Sequence, residues 1–230
     1  MSSDMLEVLD ANIVIIPEEP LKQTVSGTSL FEQSEFASLM RKPLTISQGL
    51  SFDVSLGTTV GTYQIESMRS QKVISLSPIR LEVHDRSGES DLKKAQIPET
   101  MAAFMSVIHV GRIKAIGTNW EIVFKSPKVG SAGTAIAEKL LRQDTNFLPH
   151  NIKRDGGSVR LYLSDSSGTT YILALEPRGQ NIQTDELWMS CNATVNYPED
   201  LSIELLKEMF QQSYHLLFEV KESLFPTPQL

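Results

Sequence analysis

The order of secondary-structure signals repeats along the chain, and this repetition constrains the fold more than any other feature. KVISLSP at 72–78 resembles YILALEP at 171–177, since both are apolar strand sequences that end in proline. IPETM at 97–101 resembles YPEDL at 197–201, since both place Pro-Glu at the start of a predicted helix. The two offsets are 99 and 100 residues. We therefore predict an internal duplication.

Strands are indicated by alternating apolar and polar residues that are rich in β-branched side chains. The clearest example is LTISQGLSFDVSL at 44–56, in which every second residue from Leu50 to Leu56 is apolar. The full predicted set is 12–17, 44–56, 59–66, 72–84, 112–125, 158–164, 169–176 and 186–197.

Four stretches predict helices. The first is 29–42, which Pro43 ends, and the second is 98–108, in which Pro98 occupies the first turn. A third is 132–142. From 198 to 225 apolar residues recur at three- and four-residue spacing over much of the circumference, which predicts a long helix lying across a sheet.

Each half of the chain thus has the order β-α-β-β-β-α, with a first unit over 1–110 and a second over 111–230 that carries the long C-terminal helix. This order predicts an α+β fold whose antiparallel sheets are covered on one face by helices. The two sheets either stay separate or join edge to edge into one continuous curved sheet. A continuous sheet would resemble the saddle of the TATA-binding-protein-like folds, a likeness that carries no function with it.

Composition narrows the classes of function. The net charge is −7, from 28 acidic and 21 basic residues, and the basic residues are scattered singly or in pairs. Nucleic-acid binding normally needs a clustered basic surface, so the composition disfavours it. The single cysteine, Cys191, excludes an intrachain disulfide and a cysteine metal cluster, and favours a reducing, cytoplasmic setting. The apolar run at 13–16 is too short for a signal peptide or a membrane span, so we expect no membrane association.

The loop KSPKVGSAGTAIAEKLL at 125–141 suggests a phosphate cradle but lacks its motif. Gly130 and Gly133 are three residues apart, and Thr134 stands where a P-loop would place its lysine. The sequence favours a plain helix cap at Ser131 or Thr134. An anion held at this helix start by Lys128, Ser131 and Thr134, with help from Lys125, is the lesser alternative.

No residues with catalytic or metal-binding spacing are found. The four histidines, His84, His109, His150 and His215, are far apart, and the H-E-x-x-H, G-x-S-x-G and D-x-D motifs are absent. Cys191 alternates in phase with apolar residues and is predicted to be a buried core thiol. We therefore predict no catalytic residue, no metal site and no cofactor.

The polar phase of three predicted strands is unusual in its composition. If helices cover one face of the sheet, the residues of this phase lie together on the other, open face. They are Arg80, Glu82, His84, Arg160, Tyr162, Trp188 and Asn192. A solvated antiparallel sheet is normally polar, so simple exposure to water also explains the pattern. Tryptophan, tyrosine and arginine are nevertheless enriched at recognition surfaces, and we predict these seven residues as a binding surface.

Three further stretches carry a resemblance to a known family. They are VISLSP at 73–78, HVGRIKAIGTNWEIVF at 109–124 and LLKEMFQQSYHLLFEV at 205–220. In these stretches the chain resembles a sporadically distributed family of prokaryotic proteins of similar length that has no known activity. The resemblance therefore implies no function and no site residues.

The sequence leaves three functions open. The favoured one is a non-enzymatic binding or assembly protein, which meets a protein partner or a second copy of itself through the open sheet face or the long helix. The second is a small-ligand protein or enzyme with a pocket between sheet and helix that involves Arg80, Glu82 and His84. The third is a nucleic-acid-binding saddle, which the net negative charge disfavours.

Overall fold

The computed structural model describes residues 6–21, 34–41, 43–53, 58–108, 110–125, 131–141, 156–181, 183–198 and 201–226. Within these ranges the strands are β1 Glu7–Pro17, β2 Leu44–Asp53, β3 Thr58–Ser67, β4 Lys72–Ser77, β5 Arg80–Asp85, β6 Ile113–Lys125, β7 Val159–Ser164, β8 Thr170–Pro177 and β9 Glu186–Asn196. The α-helices are α1 Ser34–Met40, α2 Leu92–Ala95, α3 Ile97–Met105, α4 Ala132–Leu140 and α5 Ile203–Leu224, and a 3₁₀ turn spans Arg178–Gln180.

All nine strands form one continuous antiparallel sheet. Their order is β2-β3-β4-β5-β1-β6-β9-β8-β7, so β1 and β6 pair at the centre and join the strands of the two halves. The predicted α+β fold with antiparallel strands is confirmed, and of the two alternatives for the sheets the structure has the single continuous one. Its second half has the predicted order β-α-β-β-β-α, whereas its first half has one strand and one short helix more.

The helices cover one face of this sheet. Helix α5 packs on β6 and β9, α3 on β1 and β5, α4 on β8, and α1 on α3. Trp120 of β6 is fully buried under α5, where its ring centroid lies 4.5 Å from that of Phe210 and 5.0 Å from that of Tyr214. None of the described helices is long and apolar enough to cross a membrane. We call the opposite side of the sheet the open face.

The prediction of one strand at 72–84 is wrong. The segment forms two strands, β4 and β5, which pair with each other across a turn at Pro78 and Ile79. Pro78 has a fixed φ and no N–H to donate, so it suits a turn better than the middle of a strand. The buried residues also change parity here, from Ile74 and Leu76 to Leu81 and Val83, as a turn requires.

Two helix boundaries also differ from the predictions. The long helix begins at Ile203 rather than near residue 198, because Ser202 caps it by accepting the Leu205 N–H at 3.1 Å. The likeness between 97–101 and 197–201 therefore does not extend to the start of the helix. In the helix predicted at 29–42, residues 29–33 lie outside the described residues, and α1 ends at Met40, before Arg41 with φ 54°.

Cys191 lies fully buried on the helix-covered face, paired with Trp120 on one side and with Leu173 on the other. Burial raises the pKa of its thiol to about 12, so the thiol stays protonated at neutral pH. The prediction of a buried core thiol is confirmed.

Candidate functional site

A row of cross-strand neighbours runs along the middle of the open face. Strand pairing aligns Asn12 of β1 with His84 of β5 on one side and with Asn119 of β6 on the other. Beyond β6 the row continues through Asn192 of β9, Ile172 of β8 and Tyr162 of β7. Because neighbouring strands lie ~4.8 Å apart, the row spans about 24 Å from His84 to Tyr162. We call these six residues the central row.

A cluster of charged side chains surrounds the β5 end of the central row. The Nδ1 atom of His84 lies 2.9 Å from Oδ2 of Asp10, and its Nε2 atom lies 3.7 Å from Oε2 of Glu82. Glu82 also accepts from Arg80, whose Nη2 atom lies 2.5 Å from Oε1. We call Asp10, Arg80, Glu82 and His84 the charged cluster. The sequence predicted three of its four members.

A β-bulge brings Asp10 into this cluster. In the pairing of β1 with β6, Val8 faces Ile122 and Asp10 faces Glu121, so Leu9 is an extra residue without a partner. The extra residue shifts the phase of β1, so that Val8 points to the helices while Asp10 and Asn12 share the open face. Without the bulge, Asp10 and Val8 would lie on the same face.

The cluster sets the protonation state of His84. Burial of the ring by itself would lower the pKa, but the hydrogen bonds and charges of Asp10 and Glu82 outweigh it and raise the pKa to about 9. Burial also acts to raise the pKa of Glu82, but His84 and Arg80 bring it below its ordinary value. At neutral pH the imidazole therefore holds its proton and donates, and it cannot serve as a general base.

Amide side chains extend the network across the centre of the sheet. Asn12 donates through Nδ2 to Oδ2 of Asp10 at 2.9 Å, and Asn119 donates through Nδ2 to Oδ1 of Asn12 at 2.5 Å. Asn12 is 6% exposed, so its amide is largely withdrawn from water and its partners hold it in one orientation. The β5–β1–β6 part of the central row is therefore a preorganised polar surface.

Glu121 of β6 adds a third carboxylate beside Asp10, its cross-strand partner. Burial raises its pKa, and the hydrogen bond from Trp188 Nε1 to its Oε2, 3.4 Å long, works in the opposite direction. Trp188 is half-buried rather than freely exposed, because its indole N–H is used inside the protein. Trp188 therefore orients Glu121 and offers only part of its ring to a partner.

The β7 end of the central row is apolar and open. Tyr162 is 73% exposed, and its cross-strand neighbour Ile172 is 38% exposed. Asn192, which lies beside Ile172, is also exposed. Arg160 lies one row away on the same face, opposite Ala174. An exposed tyrosine, an isoleucine and an arginine on one pair of neighbouring strands form a composition typical of protein-recognition sites.

Strand pairing places all seven residues predicted for a binding surface on the open face, but it does not bring them together. Arg80, Glu82 and His84 contact one another in β5. Trp188 and Asn192 lie three strands from β5, and Arg160 and Tyr162 lie five strands from it. They are therefore two groups on one surface rather than one pocket, and their role in binding stays a prediction.

Sequence reasoning missed five residues of this surface, namely Asp10, Asn12, Asn119, Glu121 and Ile172. Asn119 and Glu121 could have been found, since they alternate with the apolar Trp120 and Ile122 inside a predicted strand. Asp10 could not have been found in this way, because the predicted strand began at residue 12 and the bulge at Leu9 breaks the alternation.

The start of α4 has the geometry of an ordinary helix cap. Ser131 Oγ accepts the Thr134 N–H at 3.2 Å and lies 2.9 Å from Thr134 Oγ1. Lys125 forms an ion pair with Asp185 at 3.4 Å, and Lys128 lies outside the described residues. Both hydroxyl groups thus form hydrogen bonds within the cap. The alternative of an anion bound at Lys128, Ser131 and Thr134 stays a prediction.

Comparison with protein-family models gives no match, and comparison with curated protein sequences gives no significant match. The geometry of the open face is therefore the basis for a functional conclusion.

Proposed function

We propose that this chain is a non-enzymatic protein-binding protein that uses the open face of its sheet to bind a protein partner. The central row is the observation that carries the proposal. Its six side chains line up over about 24 Å, a length that an extended segment covers with about seven residues at ~3.4 Å each. A partner that touches both ends of the row is thus the size of a protein segment rather than of a metabolite.

The chemistry of the row suggests what the partner presents. At the β7 end, Tyr162 and Ile172 offer exposed apolar surface for an apolar side chain. Asn192 offers donors and acceptors in the middle. At the other end, among the described residues, the three acidic side chains of Asp10, Glu82 and Glu121 lie beside two cations, His84 and Arg80, and this balance favours a basic side chain of the partner. This charge balance, with the net charge of −7, argues against a phosphate backbone.

The cytoplasmic setting, self-association and membership of the prokaryotic family belong to this proposal as well. The single buried cysteine supports a reducing compartment. A second copy of the chain is one candidate partner, and light scattering at micromolar concentration distinguishes it from a different protein.

Site-directed photo-crosslinking in the native host tests the proposal. A photoreactive phenylalanine analogue replaces Tyr162 or Asn192 on the open face, and the control replaces Glu219, which is exposed on α5. We expect the same discrete adduct from the first two positions and its absence from the third. Identical adducts from all three positions, or none from the open face, would contradict the proposal.

Binding of the captured partner is then measured with variants. Tyr162→Ala should weaken binding ~30-fold, the effect of losing about 2 kcal/mol at an interface hot spot. Tyr162→Ala is a cleaner test than Trp188→Ala, since the latter also removes the hydrogen bond to Glu121. Gln211→Ala, an exposed position on α5, is the matched control and should bind as the wild type does.

A further inference from the structure

A cleft of about 510 Å³ opens at one end of the sheet, away from the central row. It lies where β1 and β9 end and β6 begins. Its lining includes Glu18, Arg112, Ile113, Tyr197, Pro198 and Leu201. The volume lies within the ~300–1,000 Å³ typical of small-molecule sites. None of these residues belongs to the charged cluster or to the central row.

The link from β9 to α5, which contributes Tyr197, Pro198 and Leu201 to the lining of the cleft, is short. In the first half of the chain, residues 86–96 join β5 to α3, include α2, and bring Gly88 close to the carbonyl of Val8 near the beginning of β1. In the second half, only residues 197–202 join β9 to α5. Six residues leave no room for an equivalent of α2 beside the beginning of β6.

Tyr197 is held at the rim of the cleft by its backbone. Its φ is 48°, in the left-handed region that non-glycine residues seldom adopt, and its N–H donates to the Lys114 carbonyl at 2.7 Å. The side chain is 63% exposed even so. Backbone strain of this kind is concentrated at binding sites. Tyr197 lines the cleft together with Ile113 and Leu201, which are both half-buried.

Two side chains of opposite charge, Glu18 and Arg112, lie at the mouth of the cleft. The Glu18 N–H donates to the Arg112 carbonyl at 2.9 Å, which fixes the two residues side by side. Both are exposed, and in the part of the chain that the structure describes neither side chain forms an ion pair. The guanidinium of Arg112 and the carboxylate of Glu18 thus both remain available to a ligand.

We propose that this cleft binds a small amino-acid-like zwitterion with an apolar side chain. The planar guanidinium of Arg112 pairs with the ligand carboxylate, and Glu18 pairs with the ligand ammonium group. The apolar side chain of the ligand packs against Tyr197, Ile113 and Leu201. A simple anion would pair with Arg112 but lie beside the like charge of Glu18, which would have no partner. A simple cation would pair with Glu18 but lie beside the like charge of Arg112. A zwitterion supplies a partner for both side chains.

Calorimetric titration and ligand-observed NMR with L-phenylalanine and L-leucine test the proposal. Phenylacetate, which lacks the ammonium group, and phenethylamine, which lacks the carboxylate, are the comparison ligands. We expect both amino acids to bind with a Kd of about 1 mM or tighter, and each comparison ligand to bind at least about tenfold more weakly. Absence of binding by either amino acid at about 10 mM, or equal binding by phenylacetate or phenethylamine, overturns the proposal.

Variants then locate the site. Arg112→Gln and Glu18→Gln should each weaken L-phenylalanine binding at least about tenfold, whereas Arg69→Gln, in the turn between β3 and β4, should leave it unchanged. All three side chains are exposed, and an unchanged thermal melting curve for each variant shows that its fold is intact. Binding by both cleft variants at the wild-type level would place the ligand elsewhere. Binding of the protein partner by these variants is a separate measurement, so either proposal can fail alone.

Discussion

The Nδ1 atom of His84 in β5 lies 2.9 Å from Oδ2 of Asp10 in β1, so an ionised pair joins two neighbouring strands on the open face. The two residues are diagonal neighbours, since His84 is aligned with Asn12, two positions beyond Asp10. The side chain of His84 is only 16% exposed, so water screens the pair weakly. This contact gives the protein a predictable response to pH.

Stability should fall between about pH 6.5 and pH 9. The folded protein raises the pKa of His84 from 6.5 to about 9, so His84 contributes its full stabilisation below pH 6.5 and loses it as the pH rises through 9. At ~1.36 kcal/mol per pKa unit, the loss is on the order of 3 kcal/mol in the free energy of unfolding. Urea denaturation at a series of pH values measures it. His84→Gln should remove this dependence, and an unchanged slope in that variant would contradict the assignment to His84.

Asp10→Asn should bring the pKa of His84 back toward its ordinary value. The substitution removes the negative charge and the strongest acceptor of the imidazolium, and leaves Glu82 as its one carboxylate partner in the charged cluster. Titration of the His84 ring resonances by NMR measures the pKa directly. Glu176→Gln, on β8 of the same face, is the control and should leave the His84 pKa at about 9. A pKa equally high in Asp10→Asn would show that Asp10 does not set it.

Trp120→Ala should be among the most destabilising substitutions in the chain. Trp120 is fully buried, packs against Phe210 and Tyr214, and donates its indole N–H to the Phe210 carbonyl at 3.2 Å. Truncation of such a residue costs ~3–5 kcal/mol in the free energy of unfolding. Trp120→Phe keeps most of the packing and should cost less. Tyr162→Ala, at an exposed position, should change stability by less than about 0.5 kcal/mol in the same urea series.

The period-two alternation of strands explains why much of the open face could be predicted. Trp188 and Asn192 are in one phase and Met189 and Cys191 in the other, and the structure places the two pairs on opposite faces. Local alternation depends only on the pleat of a single strand, so it is visible without any knowledge of the partner strands. The same reasoning fails at Leu9, where a bulge inserts one residue.

The contacts between strands could not be predicted, because they depend on sheet order and register. The contact between Asp10 and His84 joins residues 74 positions apart, and it requires β5 to lie beside β1 rather than at an edge. The 72–84 segment shows a related failure, since two strands with a tight turn between them have nearly the pattern of one long strand. The parity change between Leu76 and Leu81 was the available signal for that turn.

Lys72→Met should destabilise the protein strongly, and Asp85→Asn in the same chain should restore most of the loss. Lys72 of β4 and Asp85 of β5 are cross-strand partners on the helix-covered face and are only 4% and 6% exposed. Burial lowers the pKa of Lys72, and the charge of Asp85 works against that effect. Removal of the lysine leaves a buried carboxylate without this partner, at a cost of about 3 kcal/mol in the free energy of unfolding.

The second substitution removes that charge but keeps an acceptor for the Ser87 N–H, which Asp85 Oδ1 accepts at 2.8 Å. Lys72→Met/Asp85→Asn should therefore lie within about 1 kcal/mol of the wild type, because an uncharged pair of similar volume avoids the cost of burying two ions. A double-mutant cycle in urea gives the coupling energy between the two sites. Additive effects of the two substitutions would show that the side chains do not interact across β4 and β5.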